Sequence, residues 1–288
     1  MTDGLPTFLV IGAVKAATTW ISHQLRCHPE LWLPDAEPHF FSSEYERGLD
    51  WYRGLFDAAP AGRRIGEKSA DYLAHPQAPA RIAATLPGVP MVVQLRDPVE
   101  RAYSDYCMLF RRGLVTGDPR RYLDKRHAAG TRFLDSGLYA RHLARFHAHV
   151  APERIAVFLY EDVIDDPTGV ITQVCDHIGV TPHIDVGAMV SRRNDGATPM
   201  LPLPVRRALR PMRPLLDPLR KKPLMAWLRG SMTRPVRYPP LTEELRAMLR
   251  DYYREDMIAL EQMIGRDLSA WRHGSQAVPR GERMLVAY

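Results

Sequence analysis

Three short runs, "TFLVIG" at residues 7–12, "MVVQL" at 91–95 and "IAVFLY" at 155–160, are apolar at nearly every position. A strand with one face in water alternates polar with apolar residues, because successive side chains point to opposite faces. Runs without that alternation belong to strands covered on both faces. Between the runs, apolar residues recur at three- and four-residue steps at 18–26, 77–86, 99–111, 138–150 and 168–178, the second stretch being stopped by Pro87 and Gly88. Strand, helix, strand in succession predicts an α/β fold with a central parallel sheet flanked by helices. A further helix is predicted at about 242–264, where Leu245, Met248, Leu249, Tyr252, Tyr253, Met257, Leu260 and Ile264 keep the same period between a Thr242 cap and Gly265. With 288 residues, 45% of them hydrophobic, the chain can bury one large core and is read as a single domain, 1–288.

The charge balance, 39 Lys and Arg against 33 Asp and Glu, leaves +6 and favours an anionic ligand. The basic residues are spread along the chain, so a small phosphorylated ligand is expected ahead of nucleic acid. Cys27, Cys107 and Cys175 form no Cys-x-x-Cys pair and sit in helix-like stretches, which predicts reduced thiols in the core. No apolar run approaches the ~20 residues that span a bilayer, and the first residues lack a signal-peptide pattern, so a cytoplasmic protein is expected. From 199 to about 240 the chain is rich in proline and arginine. This segment reads as short turns and loop covering the site like a lid, with a solvated linker and a peripheral membrane contact as its other readings.

The first apolar run leads directly into "GAVKAATTW", Gly12 to Trp20. A loop from a buried strand to a helix N-terminus offers free backbone N–H groups and the positive end of a helix dipole, which together stabilise a phosphate. Lys15 adds a charge there, and Thr18 and Thr19 add hydroxyls. The Gly-Lys-[Ser/Thr] order of a nucleotide triphosphatase is absent, which disfavours metal-bound triphosphate. An ordinary strand-to-helix connection is the other reading.

Three further stretches carry chemistry. In "LPDAEPHFFSSEY" the carboxylate of Glu37 and the imidazole of His39 lie among proline and aromatic residues, either as an acid–base site or as solvated neighbours of Phe40 and Phe41 in the core. In "GEKSADYL", Lys68 follows a short strand-like piece and is a second cation for the same anion, a surface lysine, or a partner of Glu67. In "VVQLRDPVERAYSDY" a strand delivers Arg96 to the edge where α/β folds bind ligands, with Ser104 two turns into the following helix. Arg96 either forks onto a phosphate or pairs with Asp97 or Glu100.

In this order the four stretches resemble a sulfotransferase that uses 3′-phosphoadenosine 5′-phosphosulfate (PAPS), with the pattern of the heparan sulfate 3-O- and N-sulfotransferase group and its bacterial relatives. "KAATTW" resembles the 5′-phosphosulfate loop, "DAEPHFFSSEYERGLDWYRGLF" the segment of the catalytic carboxylate, "EKSADYL" the lysine motif and "LRDPVERAYSDY" the 3′-phosphate motif; "GLYARHLARF" and "GRDLSAW" also match. The resemblance implies a P-loop-like sulfotransferase fold and transfer of a sulfuryl group to a hydroxyl, less often an amine, of a saccharide, glycolipid or secondary metabolite, leaving adenosine 3′,5′-bisphosphate. It implies that Glu37 removes the acceptor proton, Lys15 neutralises the departing oxygen and Lys68 assists. Lys15, Ala16, Ala17, Thr18, Thr19 and Trp20 would cradle the 5′-phosphosulfate, with Arg96 and Ser104 on the 3′-phosphate and Arg192 and Arg193 as further cofactor contacts. His39, Tyr72 and Tyr139 would face the acceptor, and no metal is called for. The sequence departs from the family at Ala17, where glycine is common, and across 192–240, which lacks the cysteine-flanked cofactor loop of the heparan enzymes. A kinase-like nucleotide enzyme and a non-catalytic nucleotide-binding protein of the same fold stay open beside this reading.

Overall fold

The computed structural model describes residues 4–126, 132–185, 187 and 236–274. Its elements are β1 (Phe8–Gly12), α1 (Thr18–Cys27), β2 (Leu31–Trp32), α2 (Leu49–Gly54), β3 (Arg64–Lys68), α3 (Ala78–Thr85), β4 (Met91–Leu95) and α4 (Pro98–Arg112). There follow α5 (Arg120–Leu123), α6 (Arg132–Asp135), α7 (Tyr139–His147), β5 (Ile155–Leu159), α8 (Tyr160–Asp165), α9 (Pro167–Ile178), α10 (Glu243–Ile264) and α11 (Ser269–His273). The strands form one sheet in the order β2-β3-β1-β4-β5, and every pair is parallel.

β1 and β4 are buried at all five positions, as their unbroken apolar runs require. Helices cover both faces. Ile21 and Leu25 of α1 pack with Val170, Ile171 and Val174 of α9 against one face, while α3, α4, α7 and α10 build the larger core on the other. Two strands had weak signals in the sequence. β2 has only two residues, and β3 reads "RIGEK", yet its last four residues are buried. Gly66 lets β3 approach β1, since a Cβ there would lie 2.0 Å from Cζ of Phe8. Glu67 and Lys68 are buried because each finds partners, described below.

The helix ends carry their own chemistry. Asp97 caps α4 by accepting from Val99 N at 2.8 Å, with Pro98 as its first residue, and Asp166 caps α9 through Gly169 N at 2.8 Å. Thr242 caps α10 through Leu245 N at 3.3 Å, as the sequence predicts. Of Cys27, Cys107 and Cys175 only Cys175 is buried; the other two are half-buried, a correction to their reading as core residues.

The chain leaves β1 for the α1 face and leaves β4 for the α4 face. Neighbouring strands whose connections part in this way open a crevice at their C-terminal ends, the place where open α/β sheets bind ligands.

Candidate active site

β1 ends in a tight loop. The Gly12–Ala13 peptide is cis, and a Cβ at Gly12 would meet Leu73 Cβ at 2.6 Å and Ala70 O at 3.0 Å, so only glycine fits. Ala13 N donates to Gln94 O at 2.7 Å, tying the loop to β4. Lys15 (φ 69°) and Ala17 (φ 63°) take left-handed backbone, which turns the chain into α1. The first turn of α1 holds no acidic residue and has no side-chain cap, so the amides of Thr18 and Thr19 are left for an outside acceptor. Thr18 is buried, and Thr19 is half-buried. Ala16 and Trp20 depart from the sequence reading. The Ala16 side chain is buried and its N–H donates to Ala13 O, while Trp20 packs on the smaller core with its N–H on Ala17 O. Both build the loop from inside instead of lining its mouth.

Arg96 follows β4 and is 9% exposed. Its Nη1 donates to Lys15 O at 3.5 Å, and its guanidinium sits 4.9 Å over the Tyr160 ring. The alternative partners go elsewhere: Asp97 caps α4, and Glu100 bonds Arg246. Burial pushes the Lys15 ammonium below its ordinary pKa; Asp105 opposes this, and Arg96 and Arg112 add to it. The loop, Arg96 and Arg112 therefore form one electropositive place, where cations crowd and an anion would relieve them. Ser104 of α4 is buried, with its Oγ unpartnered. A buried hydroxyl without a partner costs about 1–3 kcal/mol, which a bound oxygen would recover.

A second cluster lies one strand over, at the C-terminal end of β3. Lys68 is 8% exposed, so it is no surface lysine, and its Nζ donates to Glu37 Oε1 at 2.5 Å. Ala70 N donates to Glu37 Oε2 at 2.9 Å. Glu67, the other partner considered for Lys68, points away into the core. His39, at φ 53°, places Nδ1 2.7 Å from Asp71 Oδ1, and Ser42 Oγ donates to Asp71 Oδ2 at 2.6 Å. The bond to Asp71 holds the His39 imidazole above its ordinary pKa against the effect of burial. Burial pushes Asp71 up, but the bonds from His39 and Ser42 outweigh it and hold that carboxyl below its usual range. Both readings of the "EPHFF" segment are thus partly realised: Phe40 and Phe41 fill the core while Glu37 and His39 stay paired at its edge. Donor atoms of Glu37, His39 and Asp71 lie within 4.8 Å of one another, but Lys68, Ser42 and the His39–Asp71 bond already satisfy them.

Tyr72 and Tyr139 correct the sequence reading. Both are fully buried, with the Tyr72 hydroxyl on Glu67 at 2.5 Å and the Tyr139 hydroxyl on Arg96 O at 2.8 Å, so each is a support behind the site and neither reaches an acceptor. Arg192, Arg193 and residues 199–235 of the proposed lid lie outside the described residues. Asp71, Ser42 and Arg112 were missed. Asp71 stood inside a quoted motif, but nothing in its spacing tells that it meets a histidine 32 residues earlier.

An open parallel sheet with an anion loop at its central strand defines an α/β protein of the P-loop-like class. Residues 51–184, a little under half of the chain, match the family model described as "Sulfotransferase family". That match begins after Lys15 and Glu37. The chain is similar to human heparan sulfate glucosamine 3-O-sulfotransferase 3B1, with 34% identity over 183 residues, 61% of this chain and 46% of that protein. It is also similar to human bifunctional heparan sulfate N-deacetylase/N-sulfotransferase 3, at 27% identity over 93% of this chain and 31% of that protein. The chain thus spans about half the length, or less, of these curated relatives. The crystal structure of a sulfotransferase from Alicyclobacillus acidocaldarius superposes with a TM-score of 0.69 at 25% identity, covering 93% of this chain and 99% of that one.

Proposed function

We propose that the chain transfers a sulfuryl group from PAPS to a hydroxyl of a saccharide-type acceptor, leaving adenosine 3′,5′-bisphosphate. The observation that carries this reading is the placement of two complementary clusters on adjacent strand ends: Lys15 and Arg96 around the α1 N-terminus, and the Glu37–Lys68 pair beside them. The first cluster fits a nucleotide with two phosphate groups, since it offers uncapped helix amides, two cations and the orphaned Ser104 hydroxyl. PAPS, when bound, supplies the activated sulfuryl group. Glu37 accepts the acceptor's proton on a carboxylate whose two oxygens Lys68 and Ala70 N hold in place, one each. Lys68 balances the charge as the accepting oxygen changes bonds, and Lys15 offsets charge on the phosphate side. Names of the relatives favour a glucosamine-containing saccharide as the first acceptor to try.

Calorimetric titration with adenosine 3′,5′-bisphosphate tests the donor site. Micromolar binding, weakened about 10- to 100-fold in Arg96→Ala, is expected from loss of a charge-assisted fork. Absence of binding would sink the reading, and stronger thermal stabilisation by ATP than by the bisphosphate would favour the kinase alternative. With PAPS and a heparan sulfate oligosaccharide, Glu37→Ala should lose about 10²- to 10⁴-fold in turnover while its bisphosphate affinity stays as in the parent. Equal turnover would remove Glu37 from the chemistry.

A further inference from the structure

Glu67 is fully buried, one residue before Lys68, and takes no part in the transfer chemistry. Three hydroxyls donate to it: Tyr52 from α2, Ser69 at 2.8 Å and Tyr72 at 2.5 Å. On the ionised carboxylate each hydroxyl commits its single hydrogen to Glu67 and keeps its lone pairs for other donors; a proton bound below about pH 7 has Oε2, toward Tyr52, to sit on and leaves the Ser69 and Tyr72 bonds to Oε1 in place. Two of the hydroxyl oxygens are used, and both by the same loop. His39 N donates to Ser69 Oγ at 2.9 Å, and Phe41 N donates to the Tyr72 hydroxyl oxygen at 3.2 Å. The loop between Glu37 and Ser42 is not part of a helix or strand, so these bonds stand in for secondary structure on its N–H side. On its carbonyl side Arg81 of α3 donates to Phe41 O at 3.2 Å and Ser42 O at 3.0 Å, with its guanidinium 3.9 Å over Tyr45.

We propose that Glu67 is a positioning residue: its carboxylate fixes the direction of the Ser69 and Tyr72 hydroxyl bonds, which clamp the backbone at His39 and Phe41 and so aim Glu37 and His39 at the acceptor. The catalytic half of this proposal rests on the sulfuryl-transfer reading. An amide in place of the carboxylate turns one acceptor into a donor. Ser69 and Tyr72 share Oε1 while Tyr52 takes Oε2, so a glutamine can turn its NH2 to Tyr52 and keep its carbonyl on the other two. A methionine removes the shared acceptor, and the freed hydroxyl hydrogens then meet the loop N–H groups donor to donor. The clamp opens while the cores on both faces of the sheet keep their packing, because methionine and glutamate have similar volumes. Burial pushes the Glu67 carboxyl up to about 7, with all three hydroxyl bonds pulling it down, as expected where donors are assembled around a group that burial penalises.

The test compares wild type with Glu67→Met, Ser69→Ala and Tyr72→Phe in two measurements. Hydrogen exchange read by mass spectrometry should run about tenfold faster in peptides covering 39–41 of Glu67→Met, with α1 peptides unchanged. With PAPS and a heparan sulfate oligosaccharide, kcat should fall about 10- to 100-fold while bisphosphate affinity is retained, since the donor half does not touch this relay. A folded Glu67→Met protein with wild-type exchange at 39–41 and wild-type kcat overturns the proposal. Should that variant fail to fold, Ser69→Ala decides, because it releases only the His39 N–H: faster exchange there supports the relay and unchanged exchange refutes it. The exchange readout needs no turnover, so faster exchange in a protein whose wild type never consumes PAPS would support the clamp and defeat the transfer reading.

Discussion

Ala17 stands where relatives in the resemblance commonly have glycine, and its φ of 63° and ψ of 21° explain why. Left-handed backbone costs an L-residue about 1–2 kcal/mol, and glycine almost nothing. The greater freedom of glycine in the unfolded chain takes back part of the gain, so Ala17→Gly should stabilise the protein by about 0.5–1 kcal/mol, a rise of about 1–4 °C in Tm by scanning calorimetry. A lower Tm would mean that the methyl group packs usefully. Lys15 bears the same strain, but its ammonium is the reason for the residue, so glycine is no remedy there. Glu67 sets a pH dependence of its own. Its folded pKa of about 7 exceeds the unfolded value of 4.5, so between those two the native state keeps a proton that the unfolded chain has lost. Stability from this group is therefore full at low pH and is lost as pH rises through about 7, by on the order of 3 kcal/mol. Asp97, pushed up to about 6 by burial, acts in the same direction. Urea unfolding at pH 5 and pH 8 should show the decline, and Glu67→Gln should remove its larger part; an equal decline in the variant would contradict this assignment.

At the scale of elements, the C-terminal motif shows how distant segments serve the site. Trp271 Nε1 donates to Glu161 Oε1 at 3.1 Å and Arg266 holds Asp162 at 2.6 Å, which fixes the start of α8 and with it Tyr160, the ring beneath Arg96. Asp256 of α10 accepts from Ala140 N and Arg141 N at the start of α7, whose Tyr139 holds Arg96 O. A Cβ at Gly66 would overlap the Phe8 ring, so Gly66→Ala should destabilise by about 1–3 kcal/mol through overpacking between β1 and β3; a neutral effect in urea titration would mean that the strands can part without cost. The strands β1, β4 and β5 and the helices α1, α3, α4, α7, α9 and α10 were legible because uniform apolar runs and helical periods are local patterns. β3 was legible only as a short strand-like piece before Lys68, because Arg64, Glu67 and Lys68 read as surface until their partners are known, and the partners of the last two come from α2, the Glu37 loop and the segment after β3 itself. For the same reason motif order pointed to Lys15, Glu37, Lys68 and Arg96 as one site, while the roles of Asp71 and Glu67 depend on contacts that no spacing encodes.

For the whole molecule, the order β2-β3-β1-β4-β5 puts the first of these strands at the middle of the sheet. β1 pairs with β3, 58 residues later, and with β4, 82 residues later, by the registers Leu9↔Glu67 and Leu9↔Met91. Such non-local pairing is slow, because loop closure must precede any reward from contacts. During synthesis, a ribosome that has released only the Lys15 loop has made a backbone hook whose anchor, the Gln94 carbonyl, does not yet exist. Until β3 emerges, a five-residue apolar strand waits with both edges unpaired, and until β4 emerges one edge stays open, an invitation to chaperones or to its own copies. The candidate site is therefore begun early and finished late: the strand that leads into the Lys15 loop is also the piece of the nascent chain that most needs shelter.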